Sequence, residues 1–559
     1  MGLLQSIPAP LGFSSVSWNE LDVSQTSSPE SALSFGALIY SKTGPVLDIQ
    51  TFAGEDTYVG IFGSPDDINY NEWFQVAKAF DYKNGEVGGT AKVVRVVGDG
   101  SLNGALGVTT TELVNDTDLT TQRIDNEQQA LDATIVFDTD TSANGGDDTV
   151  TKLKFFTKYP TLIKYSVALS TAADFATANI TTGVTFVDNF DDAPIGTEVA
   201  VAVLDSDNNI LEKFICDLTE GNVDGFNQDT YIEHKINSKS KYILCYDNVA
   251  VTGSPVSFEA TAFKKNALVQ PVKADYLNGL ELFANPDYID INYLIGNSLV
   301  IDEMITLCET RKDVSLRWTP EPVDLIGKTI SDAVDDLVAY TNTTLNRNTT
   351  YGSFYANCGL IYDKYNKKSR WISLSGDVVG IRILRNLQSN PWFAAAGPNH
   401  QFKNIIKFAI NPKPAYQIIL NKNKANSVIS KANVGKMIAW NNNYTSVKSL
   451  LQLETTRELN IYIWRANRMF LFYKLFEQND DITRALIRSQ MEKFMASVAA
   501  GRGIEQNYQV ICDSSNNTSE IINQQRLVCT IIYTPIGAVR EIVLQAIISA
   551  EGQDVKELL

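Results

Sequence analysis

The stretch Asn357–Gly397, NCGLIYDKYNKKSRWISLSGDVVGIRILRNLQSNPWFAAAG, decides how the chain is read. Cys358–Tyr362 is apolar and aromatic, Asp363–Ser369 is a polar turn cluster, and Arg370–Leu374 resumes the apolar pattern, which together read as a hairpin. Ser375 is placed to cap a helix, and Val378, Ile381, Leu384 and Leu387 recur every three residues as one apolar stripe. Asn390 stands before Pro391, whose ring disfavours helical geometry in the preceding residue, so the helix ends there. Trp392 and Phe393 follow in a loop rich in Ala and Gly. By its residues alone the stretch is a hairpin feeding a buried helix, and it contains no evident catalytic group.

Composition sets the bounds. A chain of 559 residues is too long for one core and calls for several domains. Its net charge of −18 argues against nucleic acid or an anionic membrane as partner and favours solubility before any assembly. The six Cys show no CxxC spacing and mostly sit in apolar segments, so buried reduced thiols are expected, not a disulfide scaffold. No apolar run approaches the ~20 residues of a membrane span. The first ten residues lack a basic region and are broken by Pro8 and Pro10, so no signal peptide is expected.

Candidate chemistry is sparse. His234 and His400 are the only histidines and are far apart in sequence. Glu233 and His234 are adjacent within a segment that reads as strand, which would point them to opposite faces. Asp290, Asp302 and Asp335 could be imagined as an acidic site, but Asp302 and Asp335 fall on expected helices with the spacing of an ordinary solvated face. Asp138, Asp140, Ser142 and Asn144 alternate like the start of a calcium loop, but Ala143 and Thr149 stand where Gly and Glu are required. The Gly85–Gly89 turn precedes a strand, so it is no phosphate loop. No catalytic, cofactor or metal site is expected.

Patterning divides the chain into an arm (1–26), a first core part (27–100), an exposed polar insertion (101–150), a β-rich domain (151–270), a second core part (271–398), a C-terminal domain (399–538) and a second arm (539–559). The expected fold class is mixed α/β and α+β: a discontinuous α/β core, an inserted β-rich region, an α+β C-terminal domain and extended terminal strands. In the first arm Val16 and Trp18 alternate, then Leu21 and Val23 after a slip, as in a bulged strand. In the second, Ile542, Val543, Leu544, Ala546 and Ile547 make a strand apolar on both faces, which needs neighbours on both sides. In the C-terminal domain Leu459–Trp464 reads as strand, and Ala466–Phe476 as a helix apolar nearly all round and therefore buried. Asp481 is placed to cap a helix over Ile482–Ala500 with Ile487, Met491, Phe494 and Val498 as its stripe. Arg484 and Arg488 share another face of it, suggesting solvent or a partner.

The order of these features resembles the contractile-tail sheath proteins of myovirus-type bacteriophages. The resemblance rests on Tyr362-Asp363, Arg370-Trp371, the S-G-x-V-x-G helix start at Ser375–Gly380 and P-W-x-A-x-A-G at Pro391–Gly397. It extends to Val16, Glu20, Asp22 and Ser24 in the first arm, and to Lys42–Val46, Phe62-Gly63 and Val93–Val96. Further matches are Tyr231, Ile232, Glu233, Ile236, Asn237, Ser240, Tyr242 and Ile243, then Asn516-Asn517-Thr518 and Arg526–Val528. One departure stands out: Trp440 is followed by Asn441–Asn443 where the family often carries an arginine. The resemblance implies a structural protein without cofactor. It would form hexameric rings stacked helically around a tail tube, with baseplate and terminator proteins at the ends, in a virion assembled in the host cytoplasm. It also implies that Arg484 and Arg488 face the tube and that the arm strands pair between subunits. The sheath of a non-phage injection device, and an α/β-domain enzyme, are the alternative readings.

Overall fold

The computed structural model describes residues 33–140 and 149–540. The arm strands expected around Val16, Trp18, Leu21 and Val23 and around Ile542, Val543, Leu544, Ala546 and Ile547 lie outside the described residues. The described chain forms two compact units, one of residues 33–458 with residues 537–540, the other of residues 459–536.

The first unit is built on a seven-stranded sheet. Its order across the sheet is Ile49–Phe52, Thr90–Arg95, Ser34–Ile39, Tyr293–Ile295, Ser315–Trp318, Gly352–Tyr355 and Ala425–Asn426. All neighbours are parallel except Ile49–Phe52, which is antiparallel at one edge. Ser34–Ile39 pairs on one side with Thr90–Arg95 and on the other with Tyr293–Ile295, so segments flanking the long insertion complete one sheet. Its residues alternate between two cores. Phe35, Ala37 and Ile39 join Trp73, Val76 and Val379 on one face, whereas Leu38 joins Tyr276, Leu280 and Leu294 on the other. Parallel strands covered on both faces read as continuous apolar runs, and every residue of Ser34–Ile39 is buried.

The Asn357–Gly397 stretch forms the hairpin Cys358–Asp363 with Lys368–Ser373, in register from Cys358↔Ser373 to Asp363↔Lys368, followed by the helix Ser375–Gln388. Leu374, not Ser375, holds the cap position, and the Ser375 hydroxyl instead accepts the Thr319 N–H at 3.1 Å. Val378 and Ile381 are buried, with Leu384 and Leu387 packed at the margin of the same core. This helix presses against Tyr70–Ala79. A methyl group on Gly376 would overlap the Gln75 carbonyl, and one on Gly380 would overlap the Tyr82 ring. The two glycines of the S-G-x-V-x-G pattern are therefore set by the distance between two helices.

Between the two halves of the sheet lies a β-rich region. It contains a four-stranded antiparallel sheet (Ile210–Asp217, Glu198–Leu204, Ser166–Thr171, Phe258–Ala262) and a three-stranded one (Ile243–Asp247, Leu153–Thr157, Ala105–Val108). The second sheet corrects the reading of 101–150 as an exposed insertion. Ala105–Val108 is buried and paired with Leu153–Thr157, and Val114, Leu119 and Ile124 are buried beside it. The polar residues that suggested solvent satisfy backbone groups inside. Asn103 donates to the Thr157 carbonyl at 2.7 Å and accepts from the Ile124 N–H at 2.8 Å. Asp138 is paired with Lys154 at 2.8 Å, both side chains about 2 % exposed. Leu131 and Val136, by contrast, are strongly exposed. Ile232–Lys239 is a helix, not a strand, because Ile232 and Ile236 bury together one turn apart.

A buried charge cluster closes the first unit. The helix Glu454–Phe472 starts against the sheet with two glutamates one turn apart. Arg317 contacts Glu454 at 2.9 Å and Glu458 at 2.5 Å, with all three side chains at most 4 % exposed. Ser315 and Tyr293 donate to Glu458 at 2.7 and 3.0 Å, Tyr355 donates to Glu454 at 3.0 Å, and Arg382 stands 3.8 Å from Glu458. Three adjacent strands and two helices thus meet on two carboxylates. Burial raises the Glu454 carboxyl, but Arg317, Arg382 and the Tyr355 hydroxyl more than offset it and hold it below the ordinary value.

Gly376→Ala in an open helix would stabilise by about 1 kcal/mol. Here the overlap is with a backbone carbonyl that cannot rotate away, an overpacking cost of about 1–3 kcal/mol or more, so the unfolding midpoint should fall in a thermal melt. Glu458→Gln should cost about 3–5 kcal/mol in denaturant unfolding, because it leaves Arg317 and Arg382 buried with one counter-charge. The double variant Arg317→Met, Glu458→Leu should cost less than the sum of its singles. Asp377 is fully buried and accepts the Tyr82 hydroxyl at 2.7 Å; burial pushes its carboxyl from 3.8 up to about 7, with Lys78 opposing. Its folded pKa is raised, so its contribution is complete below the unfolded value and is lost as pH rises through about 7. Asp377→Asn should remove a slope of up to about 1.4 kcal/mol per pH unit in that window, read from denaturant melts across pH.

Candidate assembly surface

In the second unit the sequence misleads in an informative way. Leu459–Trp464 is not a strand but the middle of the Glu454–Phe472 helix. Leu459 and Ile461 are buried, as a helical pattern allows. The aromatic run that follows is not buried. Trp464, Met469, Phe472, Tyr473, Leu475 and Phe476 are all exposed, Phe472 at 64 % and Phe476 fully. Ile482 and Leu486, on the next helix, are exposed too. So many large apolar groups on one connection and its flanking helices exceed what a surface needs to leave uncovered, and such a concentration marks an interaction surface.

The helix Asp481–Ala500 is capped by Asp480, whose carboxylate accepts the Thr483 N–H at 2.8 Å, one residue earlier than expected. Ile487, Met491, Met495 and Val498 are buried, and Phe494 stacks on Tyr462 with ring centroids 5.8 Å apart. Arg484 corrects the expectation of a free cationic face. It is buried, donating to the Asn479 carbonyl and side chain at 3.0 and 2.7 Å and to Asp481 at 2.6 Å. Arg488 is partly exposed and sits 3.7 Å from both Glu492 and Asp513. The pair is one turn apart as expected, but only Arg488 presents charge outward.

The helix packs against a two-stranded sheet, Gln509–Ile511 with Thr530–Ile532. Asn516 and Asn517 hold its connecting segment closed. Asn516 donates to the Ile511 carbonyl at 2.8 Å and Asn517 to the Val528 carbonyl at 2.9 Å, while the Val528 N–H donates back to Asn517 at 2.7 Å. The Asn-Asn-Thr motif is thus a clasp, a role invisible without the far strand. In the first unit an arginine does reach the Trp440–Asn442 segment, from a hundred or so positions further along. The Arg540 guanidinium lies 4.6 Å from the Trp440 ring and donates to the Asn441 carbonyl at 3.1 Å and the Asn442 side chain at 2.9 Å. Arg540 is therefore fastened to the segment where the expected arginine is missing in sequence.

Nothing among the described residues assembles a reaction centre. His234 pairs with Asp229 at 2.6 Å, His400 is buried in the other half of the unit's sequence, and Asp302 pairs with Arg347 at 3.2 Å. No group of three or more His, Cys, Asp or Glu side chains is disposed to hold a metal among the described residues. No helix among them is long and apolar enough to cross a membrane.

Residues 445–549 match the family model of the phage tail sheath C-terminal domain. A 306-residue alignment to the tail sheath protein of Enterobacteria phage T4 is 28 % identical and covers 51 % of this chain and 46 % of that one. A 375-residue alignment to the tail sheath protein of Vibrio phage KVP40 is 24 % identical and covers 63 % of this chain and 55 % of the relative. The chain spans about half the length of these curated relatives. The crystal structure of the sheath tail protein from Desulfitobacterium hafniense shares the fold with a TM-score of 0.51, 9 % identity, and coverage of 93 % of this chain and 100 % of that one. These relatives are named for a structural component, not for a reaction. The chain is similar to phage tail sheath proteins, and its residues 445–549 match the model of their C-terminal domain.

Proposed function

We propose that this chain is the repeating subunit of a contractile tail sheath. Copies polymerise as stacked hexameric rings around a tail tube, between baseplate and terminator proteins, during assembly in the host cytoplasm. The polymer then shortens and drives the tube through a cell envelope. The observation that carries the reading is the concentration of exposed apolar side chains, Phe472, Tyr473, Leu475, Phe476, Ile482 and Leu486, within the matched C-terminal domain. A free chain of charge −18 tolerates such a concentration because like charges keep copies apart until a specific lattice covers it. The energy of shortening comes from two subunit packings of unequal stability, so no nucleotide is needed.

The two arms link subunits in this reading. Gln509–Ile511 with Thr530–Ile532 is a sheet of only two strands, marginal alone and open to added strands. Arm strands of neighbouring copies, built from Val16, Trp18, Leu21 and Val23 and from Ile542, Val543, Leu544, Ala546 and Ile547, extend it. Heterologous contacts of this kind continue into an open helix. Arg540, held on Trp440, fixes the point from which the C-terminal arm departs. Arg488 remains the outward cation for the tube, without Arg484.

Negative-stain microscopy of the purified chain tests the reading: tubes or stacked rings are expected, and globules under all conditions would overturn it. The double variant Phe472→Ser, Phe476→Ser should stay folded by circular dichroism yet lose polymer by at least about tenfold, as truncation of buried interface aromatics does. Truncation before Ser27 or after Gly537 should leave folded subunits that form no tubes. Normal tubes from either truncation would remove the arms from the lattice.

A further inference from the structure

The register of the two-stranded sheet brings two thiols together. Gln509 pairs with Ile532, Val510 with Ile531 and Ile511 with Thr530, and Cys512 and Cys529 are the next residues beyond the last pair, so the same register continued one step sets them opposite each other. Each thiol bears on the other's proton affinity, as neighbouring side chains do. Residues facing each other across antiparallel strands have Cα atoms about 4.5–5.5 Å apart, inside the range a disulfide spans. Asn516 and Asn517 hold the two ends of the connecting segment together, so the approach is built into the hairpin. Cys512 is 1 % exposed, whereas Cys529 is partly exposed. The other four cysteines are buried, and none of them belongs to this hairpin.

We propose that Cys512 and Cys529 are an oxidisable pair, joined by a small-molecule disulfide into a cross-strand clamp on the C-terminal hairpin. Cys529, the accessible member, loses its proton to solvent and attacks one sulfur of the small disulfide. A mixed disulfide forms and one small thiolate leaves. Cys512 then loses its proton and attacks the Cys529 sulfur, and the second small thiolate leaves. The two thiolates take up the two protons. The pair loses two electrons, and the oxidant is reduced to two thiols.

The surroundings set the pace. Burial raises both thiols, Cys529 to about 12 with Cys512 adding to the shift, so little thiolate exists at neutral pH. For Cys512 the contact with Cys529 and the Arg484 and Arg488 cations oppose that rise, which favours the anion the resolving step requires. Oxidation is therefore slow and quickens as pH rises. The pair stays reduced in a cytosol and closes in an oxidising medium. That the chain passes from one to the other rests on the sheath reading; the thiol chemistry does not.

The test treats the purified full-length chain with oxidised glutathione, blocks free thiols after unfolding, and digests with trypsin. Cleavage at Arg502, Arg526 and Arg540 puts Cys512 and Cys529 on separate peptides, 503–526 and 527–540. The expected result is a cross-linked pair of these peptides that separates on reduction, with Cys216, Cys245, Cys308 and Cys358 still free. Its yield should rise at least about tenfold between pH 7 and pH 9, following the thiolate fraction. Cys529 recovered only as its glutathione adduct, or both thiols recovered free, would overturn the proposal. Cys529→Ser, checked for folding by circular dichroism, should abolish the cross-link and leave Cys512 unmodified; a Cys512 adduct there would reverse the order of attack and overturn the assignment of Cys529 as the accessible member. Failure of this chemistry leaves tube formation untouched, and failure to form tubes leaves this chemistry measurable.

Discussion

Two glutamates one helical turn apart, Glu454 and Glu458, hold Arg317 in a site almost without solvent. Removing these charges from water costs several kcal/mol per ion, so the arrangement is stable only with every partner present. The partners come from three neighbouring strands through Tyr293, Ser315, Arg317 and Tyr355, and from the close-packed helix through Arg382. Misplacing any of these elements leaves a charge or hydroxyl without its counterpart. The cluster therefore fixes strand order and helix position together, which apolar contacts of interchangeable shape would do less sharply.

The same helix passes from this closed environment to an open one. Its first turns carry the buried glutamates; its last turn and the connection after it carry exposed aromatic residues. A subunit has to satisfy both demands. Under the proposed sheath role it must fold alone, which requires a complete core, and keep apolar surface for its neighbours. In the second unit that surface is concentrated on one connection and its flanking helices, and the net negative charge opposes association of free copies.

Much of the core was legible in sequence. The hairpin and helix of Asn357–Gly397 read directly, because turn residues and a three-residue apolar repeat are local signals. The failures share a cause. Residues 101–150 were read as solvated from their Thr, Asp and Asn content, but Asn103 and Asp138 are buried and engaged by groups 16 or more positions away. Ala466–Phe476 was read as buried because it is apolar, yet much of it is exposed, since hydrophobicity does not say which molecule provides the cover. Leu459–Trp464 was read as strand because six residues are too few to separate a buried helix from a strand.

The residues by themselves determined what depends on near neighbours along the chain: the punctuation of Gly and Pro, and the stripe of Val378 and Ile381. Only the tertiary structure decided why Gly376 has no side chain, since the obstacle is the backbone of Gln75 about three hundred positions earlier. It alone paired Arg317 with Glu454, placed Arg540 on Trp440, buried Arg484 and brought Cys512 and Cys529 to the same end of one two-stranded sheet. Each of these depends on segments that meet only in the folded chain. Burial, charge pairing and steric exclusion act through space, and no local pattern of residues encodes which distant segment will arrive.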